Sequence, residues 1–85
     1  MQEDSSQAKA AEQVILEGLK TAEELQLKPI QAYGHLFLGE TYGISGQREK
    51  ALTSLNKARQ MCQAMGMDYW LARTEKALEK LKKGQ

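Results

Sequence analysis

The side chains best suited to acid–base or nucleophilic chemistry are a single histidine, His35, and a single cysteine, Cys62. His35 stands among Leu36, Leu38 and the helix expected to follow, a setting for a packed core histidine rather than a base or a ligand. Cys62 has no charge partner at helical spacing that would lower its pKa, so it reads as a small buried hydrophobe. No cysteine or histidine cluster has the spacing of a metal site. Gly39 and Gly43 fall inside a helical stretch and not between a strand and a helix, which excludes a phosphate loop. Glu23–Glu24 and the Glu75, Glu79 pair resemble acid/base carboxylates. Lys28 follows Glu24 by four residues and Lys83 follows Glu79 by four, so these read as solvated surface pairs. The expectation is a protein that is not an enzyme, with no catalytic residue, no metal and no cofactor.

What remains is surface for binding, and composition limits what it can bind. The chain has 85 residues, 41% hydrophobic and 27% charged, with a formal net charge of +1. That is the balance of one small globular domain, and the near-neutral charge argues against nucleic acid as the main partner. No apolar run approaches the roughly 18 residues of a membrane span, and the first residues lack the basic and apolar parts of a signal peptide. A lone cysteine allows no internal disulfide, so a reduced, cytoplasmic setting is expected.

Leucine (11), alanine (10) and glutamate (9) dominate, while valine, isoleucine and threonine together supply eight residues. A sheet is poorly provided for, and the chain is expected to be all-α. Residues 5 to 27 carry Ala8, Ala11, Ile15, Gly18, Ala22 and Leu25 at intervals of 3 and 4, one helical stripe. Asp4, Ser5 or Ser6 is suited to cap it, and Pro29 predicts an end at Lys28. A second helix is expected from Pro29 to Ile44, with Gly46 as the turn residue. A third runs from about Gln47 to Ala64, with Ala51, Leu55, Ala58, Cys62 and Met65 at intervals of 4, 3, 4 and 3, and Gly66 ends it. Asp68 would cap a fourth, from Tyr69 to Lys82, buried through Leu71, Leu78 and Leu81. Four helices with short connections make antiparallel hairpins.

A shift of forty residues lays the chain over itself. Ala11, Ile15, Gly18, Ala22, Leu25 and Leu27 fall on Ala51, Leu55, Ala58, Cys62, Met65 and Met67, and Ala32 and Leu38 fall on Ala72 and Leu78. A fixed period of this kind signals a solenoid, in which each helical pair buries its apolar face against its neighbours. Within it, His35-x2-Leu38-Gly39-x2-Tyr42, then Gly46, then Ala51-x3-Leu55-x2-Ala58, resembles the tetratricopeptide repeat signature. Gly39 and Ala51 are small where two helices cross, Tyr42 and Leu55 fill the space beside them, and Ala58 admits the next helix.

The pattern departs from the family at His35, where tryptophan is preferred, at Leu55, where phenylalanine is preferred, and in a period of 40 rather than 34. The longer unit is similar to the C-terminal repeat arrays of bacterial nucleotide cyclase and predicted-ATPase signalling proteins. The resemblance implies a right-handed α-solenoid forming one domain over 1–85. Residues 5–28 would be the second helix of a preceding repeat, 29–65 one full repeat and 68–83 a capping helix.

By the same resemblance the first helix of each pair lines a concave groove, placing Tyr33, Leu36, Phe37, Glu40 and Ile44 at a partner-binding surface, unless a neighbouring helix covers the apolar ones. Leu36, Phe37 and Glu40 occupy the places of the lysine–asparagine carboxylate clamp of some relatives, so that clamp is not expected. Arg73, Lys76, Lys80 and Lys83, at intervals of 3, 4 and 3, form a basic stripe on the equivalent face of the fourth helix. It is either solvated surface or an attraction for an acidic partner.

Charge is also split. Residues 1–31 hold three basic and six acidic residues, net −3, and residues 32–85 hold nine basic and five acidic, net +4. The implied function is a scaffold for protein–protein interaction that binds a peptide or partner helix, or self-associates as a dimer, or docks on further repeats. The alternative is a cis-regulatory segment of a larger signalling enzyme.

Overall fold

The computed structural model describes residues 5–83 as four α-helices: α1 (Ser5–Glu24), α2 (Lys28–Ile44), α3 (Arg48–Met65) and α4 (Asp68–Lys83). The protein is all-α, built from successive helical hairpins, and no described residue is in a strand. Each helix packs on the next in sequence, and α2 also touches α4, whereas α1 and α3 do not meet. α2, α3 and α4 therefore pack on one another, and α1 joins them through α2 alone. No helix among the described residues is long and apolar enough to cross a membrane.

The three turns are copies of one another at a spacing of twenty residues. Gln26, Gly46 and Gly66 each take positive φ. The amide that follows each one donates to a carbonyl five residues before the donor: Leu27 to Ala22 at 2.8 Å, Gln47 to Tyr42 at 2.9 Å and Met67 to Cys62 at 3.0 Å. This is the Schellman closure of a helix C-terminus. It ends α1 at Glu24, earlier than Pro29 alone predicts, and lets α2 begin at Lys28 with proline in its first turn. Asp68 likewise lies inside the first turn of α4 and is not its cap; the Leu71 amide donates to the Met67 carbonyl. Asp4 lies outside the described residues, as do the side chains of Ser5, Ser6 and Ala8.

Gln26 occupies with a Cβ the conformation that glycine takes in the other two turns. A side chain there costs on the order of 1 kcal/mol. Gln26→Gly is therefore expected to raise stability by up to about 1 kcal/mol, read as a higher urea midpoint at unchanged m-value.

The core sits along α2 and α3. Leu36, Leu55, Ala58 and Leu78 form one cluster and Leu19, Leu38, Tyr42 and Ala51 the other, with Leu81 against both. Gly39 passes so close to α3 that an added Cβ would lie 2.5 Å from Leu55 Cγ and 3.3 Å from the Ala51 carbonyl oxygen. That is the crossing expected of Gly39 and Ala51. In α4 the inward face is Leu78 and Thr74, with Leu71 and Leu81 half-buried.

In α1 the inward stripe differs from the one its spacing predicts. Glu12, Ile15, Leu19 and Ala22 face α2, while Ala11, Gly18 and Leu25 are exposed. The equivalent Ala51 and Ala58 of α3 are both 0% exposed, because α3 has α2 on one side and α4 on the other. Among the described residues α1 has α2 alone, so half of its apolar face stays bare.

Candidate partner-binding cleft

α2 and α4 lie side by side, and their facing side chains build one surface with two ends. At the first end Trp70 of α4 meets Tyr33 with ring centroids 4.7 Å apart and Phe37 at 6.2 Å, edge to face. Tyr69 meets Trp70 edge-on at 5.1 Å. Arg73, one turn on, stacks its guanidinium 5.5 Å from the Phe37 ring centre and 5.6 Å from that of Trp70. Its Nε donates to Glu40 Oε2 at 3.1 Å and its Nη2 to Glu40 Oε1 at 3.0 Å. A two-point guanidinium–carboxylate pair laid over aromatic faces holds both partners in one geometry. It is the one ion pair closed to 4 Å among the described residues. Glu24–Lys28 and Glu79–Lys83 do not close, and in the first pair a turn separates the helices carrying the two charges.

Beyond this strut the surface opens into a cleft of about 770 Å³. Gly39, Gly43, Leu55, Ala77 and Leu81 supply its floor, and Arg48, Lys76, Lys80 and Ile44 its walls. Gly43 deepens it: a Cβ added there would meet only Leu81 Cδ2, at 3.6 Å. Ile44 stands 84% exposed at the lip, the most exposed large hydrophobic residue described.

Of the residues assigned to the groove from sequence, Tyr33, Phe37, Glu40 and Ile44 do lie on this surface. Leu36 does not: it is 0% exposed, sealed against Leu55, Ala58 and Leu78 because its side of α2 turns towards α3. Of the basic stripe, Lys76 and Lys80 line the cleft, Arg73 is engaged by Glu40, and Lys83 is exposed but lines no part of it. Trp70, Arg48 and Ala77 are among the contributors that spacing did not single out. Trp70 is equivalent to Ile30 in the repeat, and Ile30 is half exposed because no helix stands beside it among the described residues. The stripe was also legible as 70, 73, 77 and 80, which would have included Trp70.

The groups first considered for chemistry are placed elsewhere. Cys62 is buried, its thiol pushed up in pKa by burial and partly brought back by the Thr74 hydroxyl. Thr74 itself donates to the Trp70 carbonyl at 2.7 Å. Among the described residues no three histidine, cysteine or carboxylate side chains converge as metal ligands would. The Tyr42 hydroxyl donates to Glu12 Oε2 at 3.0 Å and ties α2 to α1; burial, then this bond, raise its pKa.

His35 is half-buried, and its pKa is lowered by burial and by Lys57, against a smaller opposing pull from Glu23. A histidine lowered from 6.5 binds its proton more readily in the unfolded chain. Its contribution to stability is therefore complete above 6.5 and declines as pH falls from there towards the folded-state pKa. Stability is expected to drop as pH falls below 6.5, and His35→Gln should flatten that part of the curve, as measured by denaturant midpoints at a series of pH values.

Comparison with known proteins finds no matching family model, no matching curated protein and no matching solved structure.

Proposed function

We propose that this chain is a non-catalytic, tetratricopeptide-like protein-interaction module that captures a peptide segment in the cleft between α2 and α4. The observation that carries the reading is the contrast between that cleft and the rest of the surface. Ile44 is left exposed over an apolar floor, beside lysines and an arginine engaged in no ion pair among the described residues. The order of contacts also fits a repeat stack, since alternate helices α2 and α4 touch as the first helices of successive pairs would.

The test is display panning of a random peptide library on the immobilised chain and on its Gly43→Trp form. A Cβ at Gly43 would make only ordinary contact with Leu81, so an indole is directed into the cleft, and circular dichroism checks that the variant keeps its helices. Peptides enriched by the native protein and released by Gly43→Trp would support the reading. No enrichment, or enrichment indifferent to that change, would count against it.

A second reading, self-association, is favoured by the two unlike ends of the molecule. Val14, Leu16, Leu25, Leu27 and Ile30, all exposed, belong to α1, the first turn and the start of α2. At the other end the face by which α2 takes α3 is replaced on α4 by charge: Lys76, Glu79 and Lys82 stand at the places of Leu36, Gly39 and Tyr42. One end is sealed by charge and the other is apolar, so association would use the α1 end of two copies. Light scattering should give a mass above 9.5 kDa that rises with concentration, and Val14→Glu with Leu25→Glu should return it to that value.

A further inference from the structure

The chemistry of the cleft names the class of segment it takes, an inference that rests on the interaction-module reading. Arg48, Lys76 and Lys80 line it, and the only carboxylate among its lining residues, Glu40, already accepts both hydrogen bonds from Arg73. The pair neutralises itself and leaves three cations facing an apolar floor of Gly43, Ala77 and Leu81. Lys76 and Lys80 are one helical turn apart on α4, while Arg48 comes from the first turn of α3. The charges thus come from two elements and from successive turns of one of them, which suits several spaced anions better than one.

We infer that the segment bound here is acidic, with two or three aspartate or glutamate side chains around one large apolar residue. Its carboxylates pair with Arg48, Lys76 and Lys80, and its apolar side chain covers Gly43 and Leu81 against Ile44. Three cations are too few for a nucleic-acid backbone, where contacts to six or more phosphates are usual for tight binding. All three cations are exposed, so salt screens their attraction and recognition is salt-dependent, with encounter rate most affected.

The experiment uses three fluorescein-labelled nine-residue peptides and anisotropy titration of the intact chain at 20 and 300 mM salt. The first has three Asp or Glu around a central Leu. The second has the carboxylates replaced by Asn and Gln, and the third has Leu replaced by Ser. The first is expected to bind at least tenfold more tightly than either other and to weaken severalfold at high salt. Lys76→Glu with Lys80→Glu should cost it more than tenfold, as should Ile44→Asp. Lys20→Glu, an exposed reversal on α1, should leave it unchanged, with circular dichroism confirming that every variant is folded.

Equal affinity for the acidic and amide peptides, or indifference to the Lys76 and Lys80 reversals, overturns the inference. So does a marked preference for a peptide with one phosphoserine over the carboxylate peptide. If panning enriches neutral or basic sequences that Gly43→Trp releases, the acidic assignment fails while the interaction module stands. If panning enriches nothing, both fail.

Discussion

Leu55→Ala is expected to lower the unfolding free energy by about 3 kcal/mol, and Gly39→Ala by about 1 to 2 kcal/mol, yet the two together should cost much less than their sum. Leu55 is 1% exposed and packs between α2 and α4, touching Leu36, Ala58 and Leu78. Truncating it removes about three methyl-sized groups and leaves a cavity in a chain whose whole stability is on the order of 5 kcal/mol. The glycine penalty has the opposite cause. An exposed helical Gly→Ala change normally gains about 1 kcal/mol. At Gly39 the new methyl would sit 2.5 Å from Leu55 Cγ and 2.6 Å from Cδ2, with the Ala51 carbonyl closing the other side. Neither the branched carbon nor the backbone can swing aside, so overpacking outweighs propensity.

Once Leu55 is alanine the obstruction is gone, and the Gly39 methyl enters the vacated space while keeping its helical gain. A double-mutant cycle by urea denaturation should therefore give a coupling of at least 1 kcal/mol in the favourable direction. Additive losses would mean that α2 and α3 do not cross at Gly39. For comparison, an added Cβ at Gly18 meets nothing within 4 Å, so Gly18→Ala should simply stabilise α1.

The Gly39 crossing was legible in the sequence because small residues recur where helices must approach, and only one spacing lets Gly39, Ala51 and Ala58 serve together. The turns at Gly46 and Gly66 were legible for a similar reason, as positive φ selects glycine. The turn at Gln26 was not, because nothing in a glutamine announces the conformation; the twenty-residue spacing to Gly46 and Gly66 was the only clue. The face of α1 misled for a different reason. Periodicity reports where apolar residues lie but not how many neighbours cover them. The forty-residue shift lays Ala11 and Gly18 over Ala51 and Ala58, yet α1 lacks the second neighbour that buries the latter pair.

The cleft suffered from the same gap. Leu36 and Phe37 are adjacent in sequence, and which of them turns to α3 and which to the shared surface follows from helix packing. Arg48 reaches the cleft from α3, a contact between elements that no spacing within α2 or α4 contains.

Those contacts make Trp70 the second point of large effect. Trp70→Ala is expected to weaken the docking of α4 by about 2 kcal/mol, less than the loss from a fully buried tryptophan because the ring is only half-buried. The ring is the shared partner of Tyr33, Phe37, Tyr69 and Arg73, and aromatic contacts of this kind contribute about 0.5 to 1.5 kcal/mol each beyond area. What remains to hold α4 is Leu78 and Thr74, the half-buried Ala77 and Leu81 against the core, and the Arg73–Glu40 pair, whose groups are 40% and 31% exposed and so add little alone.

Among the described residues α4 has neighbours on one side only, and a helix held from one side that loses its anchor opens before the rest. Hydrogen exchange should therefore speed up across Asp68–Lys83 and leave α2 and α3 protected, while Trp70→Phe, which keeps a ring against Tyr33, should restore most of the protection. Peptide affinity should fall with α4, because Lys76, Lys80 and Leu81 leave the cleft together. Uniform acceleration across all four helices would mean instead that α4 and the core open as one unit, and that Trp70 is part of the core rather than the anchor of its last helix.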